Sequence, residues 1–154
     1  MSALNIPGIG ERIGERYIRK VDVGFLGETG IDVALSSATG DVAIININEP
    51  NVFVHSLKKQ QRVPFTAGAT FKIIVGDCND SDGYWTDTLY LTTTCDAVFV
   101  EAGTTAAYAM GHLYTTTDII AVNQSEVVVT GGSARFLIEY TRGVDTDLSP
   151  ATSS

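Results

Sequence analysis

The sequence predicts an all-β protein, built as a single β-sandwich or jelly-roll-like domain over about residues 21–142. An extended N-terminal arm over 1–20 and a flexible C-terminal tail over 143–154 flank it. Three observations predict this class. Thr, Val, Ile, Tyr and Phe, which fit a pleated, half-buried surface, recur along the chain. Short apolar or alternating runs follow one another at fairly regular spacing, separated by Gly, Asn, Asp and Ser. Long runs of Ala, Leu, Glu and Lys, which favour helices, are missing.

Taken in order, the strand pattern begins near residue 17. Ile31–Leu35 alternates weakly into Ser36 and Ser37, and Thr39-Gly40-Asp41 reads as a turn. Val42–Ile47 is an apolar run of buried-strand length, closed by Glu49-Pro50-Asn51. Val52–Leu57 is the next strand. Lys58–Arg62 reads as a basic loop or edge, because Pro64 donates no hydrogen bond and argues against a central strand. Ala69–Val75 alternates around Phe71, Ile73 and Val75, and a polar loop runs from Gly76 to Asp87. Leu89–Thr93 and Ala97–Val100 are short strands, and Ala102–Gly111 is loop-like. Ile119–Val122, Glu126–Thr130 and Ala134–Tyr140 complete the set, with Gly131-Gly132 as a hairpin signal before the last. The tail beyond Gly143, with Pro150 and small polar residues, predicts extended or disordered chain.

The 154 residues suit one domain, and 44% hydrophobic against 18% charged residues suffices for a sizeable core. No apolar stretch approaches the roughly 18 residues of a membrane span. The first twenty residues lack a basic start followed by an apolar core, so the expectation is a soluble protein made in the cytoplasm. The net charge of −8 is uneven. Residues 1–20 hold four basic and two acidic residues, and the remainder holds six and sixteen, a net of −10. An acidic body repels nucleic acid and anionic membranes. A basic arm on such a body suits an acidic protein surface instead. Ile6, Ile9 and Ile13 would anchor it, Pro7, Gly8 and Gly10 would let it follow a foreign surface, and Arg12, Arg16, Arg19 and Lys20 would meet carboxylates.

A catalytic or metal constellation is not evident in the sequence. Cys78 and Cys95 form no CxxC pair, and two buried free thiols are expected. His55 lies in a strand-like run, and His112 follows Met110-Gly111 with no Asp and Ser placed for a triad. Gly8–Gly14 lacks the Gly-Lys-Ser/Thr ending of a phosphate loop. Asp77–Gly83 resembles a calcium loop but places Gly83 one position late and Thr88 where a bidentate Glu is needed. Asn123-Gln124-Ser125 fits the glycosylation pattern, which without a secretion signal is a chance match. Tyr84 and Trp85, in the acidic loop, suit a half-buried anchor or, if exposed, a sugar platform. The expectation is no enzyme, no metal and no cofactor.

Two stretches carry a family likeness. In residues 51–91, Val52 and Val54 are followed by Phe65, by an alternating strand Phe71–Val75 ending in Val-Gly-Asp at Gly76-Asp77, and by Gly83-Tyr84. Residues 126–140 close with Thr-Gly-Gly-Ser-Ala and a strand ending in Glu139-Tyr140. Together they resemble small structural proteins of tailed bacteriophages, of the head-decoration or capsid-cement type. The resemblance implies a virion protein on the outer capsid surface, with the major capsid protein as partner. It also implies a homotrimer, and on the residues themselves Ala97–Val100 and Leu113-Tyr114 offer apolar or aromatic faces that a closed ring would bury. It supplies no catalytic residues. A minor tail or head-fibre protein and a carbohydrate-binding module are the alternatives.

Overall fold

A computed structural model of the chain describes residues 15–35, 40–66, 72–89, 95, 98–100, 106–125 and 129–144. The described residues form nine strands and no helix: β1 (Glu15–Gly24), β2 (Val33–Ala34), β3 (Gly40–Ile47), β4 (Val52–Thr66), β5 (Lys72–Gly76), β6 (Trp85–Leu89), β7 (His112–Tyr114), β8 (Asp118–Ser125) and β9 (Gly131–Arg142). They make a five-stranded sheet in the order β2-β1-β9-β4-β7 and a four-stranded sheet in the order β3-β8-β5-β6. Without the two-residue β2, each sheet has four strands. The chain passes between sheets at most steps, which is the jelly-roll form of the predicted sandwich.

β1 is the first departure from the sequence reading. All ten of its residues pair antiparallel with β9, from Glu15↔Arg142 to Gly24↔Ser133. Residues 15–20, read as part of the arm, therefore belong to the sandwich, and Arg16, Arg19 and Lys20 with them. The alternation that builds β1 is visible in the chain: Val21 and Val23 face Phe136 and Ala134, and Tyr17 stacks on Tyr140 with ring centroids 5.4 Å apart. The four arginines and lysines of residues 12–20 concealed that period. Ile6, Ile9, Arg12 and Ile13 lie outside the described residues, as does the tail beyond Val144.

β4 is the second departure, a 15-residue strand that runs straight through Lys58–Arg62 and Pro64. It tolerates proline because, among the described strands, β7 covers only Val52–Val54 and none pairs with Pro64 on that side. The register against β9 also shifts between Val63 and Thr66, so Pro64 sits in a bulge. An isolated bridge joins Lys59 to Val100 on that edge. Gly131-Gly132 does not turn a hairpin. β8 lies in the four-stranded sheet and β9 in the other, so the chain crosses the sandwich there. Gly132 has φ +108°, and a Cβ on it would stand 2.4 Å from the Phe65 Cα, so close backbone approach and a left-handed conformation demand glycine.

The two sheets share one apolar core. Val21, Val23, Val54, Leu57, Phe136 and Ile138 from one sheet meet Ile45, Ile47, Ile73, Val75, Ile120 and Val122 from the other. Fully burying side chains of this size contributes about 1.5–3 kcal/mol each. Strand β6 starts at Trp85, inside the stretch read as loop. Trp85 is buried and its indole N–H donates to the Leu57 carbonyl at 3.0 Å, a bond between the sheets. Tyr84 is 2% exposed. Both rings are spent on the core, which removes the sugar platform. Tyr114 is also buried, so it offers no exposed face to a neighbour, whereas Val98 and Val100 are exposed as expected. Both cysteines are exposed, contrary to expectation: Cys78 lies in the turn after β5, and the Cys95 thiol donates to the Arg62 carbonyl at 3.0 Å on the β4 edge.

Candidate interaction surface

Strand pairing sorts the side chains of the five-stranded sheet by face. Val54, Leu57 and Gln61 of β4 share the inner face with Ala134, Phe136 and Ile138 of β9, and with Val21 and Val23 of β1. The outer face holds Arg16, Ile18, Lys20 and Asp22 on β1, Arg135, Leu137 and Glu139 on β9, and Ser56, Lys58 and Gln60 on β4. The strands of this sheet carry eight of the ten basic residues and three of the eighteen acidic ones, a net of +5. The rest of the chain is then at −13. Three of the four basic residues that the sequence reading assigned to an arm, Arg16, Arg19 and Lys20, lie in this sheet.

Two ion pairs brace that outer face across β1 and β9. Arg16 pairs with Glu139, its Nε donating at 2.6 Å. Arg135 holds Asp22 bidentately, at 2.8 and 3.2 Å. Such exposed pairs fix geometry more than they add stability, about 0–1 kcal/mol each. His55, at the bulge between Val54 and Ser56, has Nε2 2.6 Å from the Thr141 hydroxyl. Its pKa is lowered, first by burial and then by the Arg16 charge, with Glu139 opposing. Nothing nucleophilic but Thr141 touches it in the contacts described.

Arg19 sits apart from these pairs, in the row of β1 that faces inward. It lines a cleft of about 250 Å³ at the mouth of the sandwich, with Asn46, Glu49, Tyr140 and Arg142. Arg142 pairs with Glu49 through Nε and, at 3.0 Å, Nη2, and lies 5.5 Å over the Tyr17 ring. Arg142 holds the Glu49 carboxyl below its ordinary range by hydrogen bonding.

The acidic turn after β5 is built around Asp77. The Asp77 side chain is fully buried. Its Oδ1 accepts the N–H groups of Asn79 and Asp80, both at 2.9 Å, and the Tyr108 hydroxyl at 3.3 Å. Its Oδ2 accepts the Tyr114 hydroxyl at 2.9 Å, and Tyr84 lies 2.8 Å from that hydroxyl, placed to donate to it. His112 stacks on Tyr108 and lies 3.9 Å from Oδ2. Burial raises all three tyrosines, Tyr108 to about 12 and Tyr84 and Tyr114 further, so their hydroxyls remain donors. The cluster ties the end of β5 to β7 and so joins the two sheets. Asp77 was conspicuous in the sequence as a calcium candidate; the inward direction of its carboxylate was not.

Cys78 and Asp118 complete this corner. The Asp118 carboxylate accepts the Cys78 N–H at 3.4 Å and its own neighbour Ile119 N–H at 2.7 Å. Desolvation works against the Asp118 charge, but these hydrogen bonds outweigh it and its pKa falls. The same carboxylate, first through its hydrogen bond, raises the Cys78 thiol. That keeps Cys78 protonated and a poor nucleophile.

Comparison with known proteins bears on the fold. No protein-family model matches the chain, and no curated protein matches it in sequence. A chain in the acidic stable capsid structure of Helicobacter pylori bacteriophage KHP30 superposes with a TM-score of 0.51 and 11% identity, covering 83% of this chain and 88% of that one. A chain in the cyanophage Pam1 capsid asymmetric unit gives a TM-score of 0.46 and 16% identity, covering 83% and 85%. At such identities the KHP30 likeness is one of fold: this chain shares an all-β sandwich with a chain of a phage capsid.

Proposed function

We propose that the chain is a structural protein of a bacteriophage particle, bound to the outer surface of the capsid, where it cements neighbouring coat subunits. The observation that carries this reading is the KHP30 superposition, which takes in most of both chains and so matches a whole capsid-borne domain. The charge pattern supports it. A net-positive sheet on an acidic protein suits adhesion to an acidic protein surface. The mechanism is multivalent attachment, in which several weak contacts act together. The partner is the major capsid protein, and the chain works there as a homotrimer.

The reading assigns no bond-breaking step. His55 is engaged with Thr141, and Asp77 is enclosed by its four donors. Residues 1–14, with Ile6, Ile9, Arg12 and Ile13, act as an arm that grips a coat subunit or an adjacent copy.

Particles stripped of the protein provide the test. Added chain is expected to sediment with them to saturation, and imaging should show three-fold density on the shell. A chain that begins at Glu15 should fold yet bind more weakly. Absence of binding to the shell, or density confined to a tail or head fibre, would overturn the capsid reading.

A further inference from the structure

Among the described residues the edge of β1 is open from Arg16 to Lys20, and its direction follows from hydrogen bonds beside it. The Asp22 N–H donates to Asp32 Oδ2 at 2.8 Å, the Asp32 N–H donates to the Asp22 carbonyl at 2.9 Å, and the Leu35 N–H donates to the Gly24 carbonyl at 2.8 Å. Asp22 and Gly24 therefore turn their main-chain groups away from β9. That direction alternates along an antiparallel strand, and the β1–β9 register is unbroken. Arg16, Ile18 and Lys20 then face the same way. Among the described residues β2 reaches only Val23 and Gly24, so no described strand pairs with these three. Ile18 is 66% exposed beside them.

An open strand edge is a template for another chain. Charge selects which chain. Two β1 edges repel, because each carries Arg19 and Lys20 beside the Arg16 that Glu139 holds. An acidic surface is attracted, and this chain itself carries −13 outside the five-stranded sheet. The acidic turn lies at the far side of the sandwich. It is bonded to β7, which β9 and β4 separate from β1, so the two lie roughly three strand spacings, about 14 Å, apart at the least. Asp80 and Asp82 crowd together there, with the Asp82 N–H donating to Asp80 Oδ1 at 3.4 Å. The hydrogen bond to the Asp80 carboxyl raises the Asp82 pKa, with burial and the Asp80 charge adding. A neighbouring cation relieves that crowding.

We infer that the β1 edge at Arg16–Lys20 receives the acidic side of a second copy of this chain, at Asp80 and Asp82, in a head-to-tail contact. Like charges forbid the edge-to-edge alternative. A head-to-tail contact uses two different surfaces, so it closes into a ring when the rotation permits. The inference rests on the trimer reading above and deepens it by naming the surfaces that meet.

The test uses the purified full chain without particles. Light scattering should show association at about 0.01 M salt that is lost near 1 M, as the Debye length falls from about 30 Å to about 3 Å. Arg19→Glu with Lys20→Glu should weaken it at least about a hundredfold, since it sets like charges face to face. Asp80→Lys with Asp82→Lys should do the same, and mixing the two variants should restore the assembly. A cross-link provides the second measurement. Lys20→Cys with Ser81→Cys, in a Cys78→Ser, Cys95→Ser background, should oxidise between copies, and Lys20→Cys alone in that background should give no linked species. A wild-type mass of one chain at low salt, or association unchanged by the Arg19 and Lys20 reversal, overturns the contact. Particle binding, measured separately, keeps the two readings apart. Shell binding without self-association sinks this contact alone, and self-association without shell binding sinks the capsid reading alone.

Discussion

At Asp77 four donors converge on one buried carboxylate, and the consequence is a large predicted sensitivity. Hydrogen bonds to a charged group are worth about 1.5–3 kcal/mol each, and donors left without an acceptor cost energy of their own. Relief of the buried charge offsets part of this. Asp77→Ala should therefore lose about 3 kcal/mol in urea unfolding, and Tyr114→Phe clearly less. A loss below about 1 kcal/mol for Asp77→Ala would remove Asp77 from its place as the link between sheets. His55 makes a different prediction, in pH. Its folded pKa lies below the ordinary imidazole value. Just below about pH 6.5 the unfolded chain holds more protons, so stability falls as pH drops through that value. Glu49, whose folded pKa is depressed, adds its loss only in the lower carboxylate range. His55→Gln should flatten the midpoint temperature between about pH 7 and pH 5.5. An unchanged slope would refute the assignment. At this scale the sequence revealed which residues mattered but not what they faced. Asp77, Tyr84 and Trp85 all stood out, yet burial and hydrogen-bond direction depend on contacts 28 to 37 residues away.

Among the elements, β1 decides where the body begins. It pairs with β9 at ten positions, six of them from Glu15 to Lys20. A chain begun at Val21 loses those six and uncovers Ile138 and Tyr140 beneath them. A chain begun at Glu15 keeps the whole ladder. Circular dichroism and melting should show the Glu15 start folded and the Val21 start strongly destabilised or aggregated. Equal midpoints would mean that this half of β1 contributes nothing to the body. The strands Val42–Ile47, Val52–Leu57, Ala69–Val75, Ile119–Val122 and Ala134–Tyr140 were legible because alternation or an apolar run marked each one, though for the third the described strand is Lys72–Gly76. β1 was not, since Arg16, Ile18 and Lys20 face outward on a row that mixes charged and apolar side chains, with Arg16 held by Glu139 of β9. Nor was the length of β4, because sequence shows a proline but not that it lies on an edge. Gly131-Gly132 misled for a related reason: glycine marks a special backbone, and a close approach needs it as much as a turn does.

Across the whole molecule the sheets depend on each other, because each has one apolar face and the same core covers both. The hydrogen bond from Trp85 to Leu57, and the chain from Tyr84 through Tyr114 to Asp77, fasten them further. A force on one sheet is therefore resisted by both, which suits the shell-bound role proposed above. Among the described residues neither sheet has a second core to retain it, so the sandwich should unfold in one step. Trp85 makes that testable. It is the one tryptophan, it is buried, and it stands where β6 meets β4 of the opposite sheet. Its fluorescence reports the joint between sheets, while far-ultraviolet circular dichroism reports the strands. In urea the two signals should move together, with the same midpoint and the same slope. Asp77→Ala should lower both midpoints equally. Loss of the Trp85 signal before the strand signal would show sheets that part while each stays paired, and the jelly roll would then not act as a single mechanical unit.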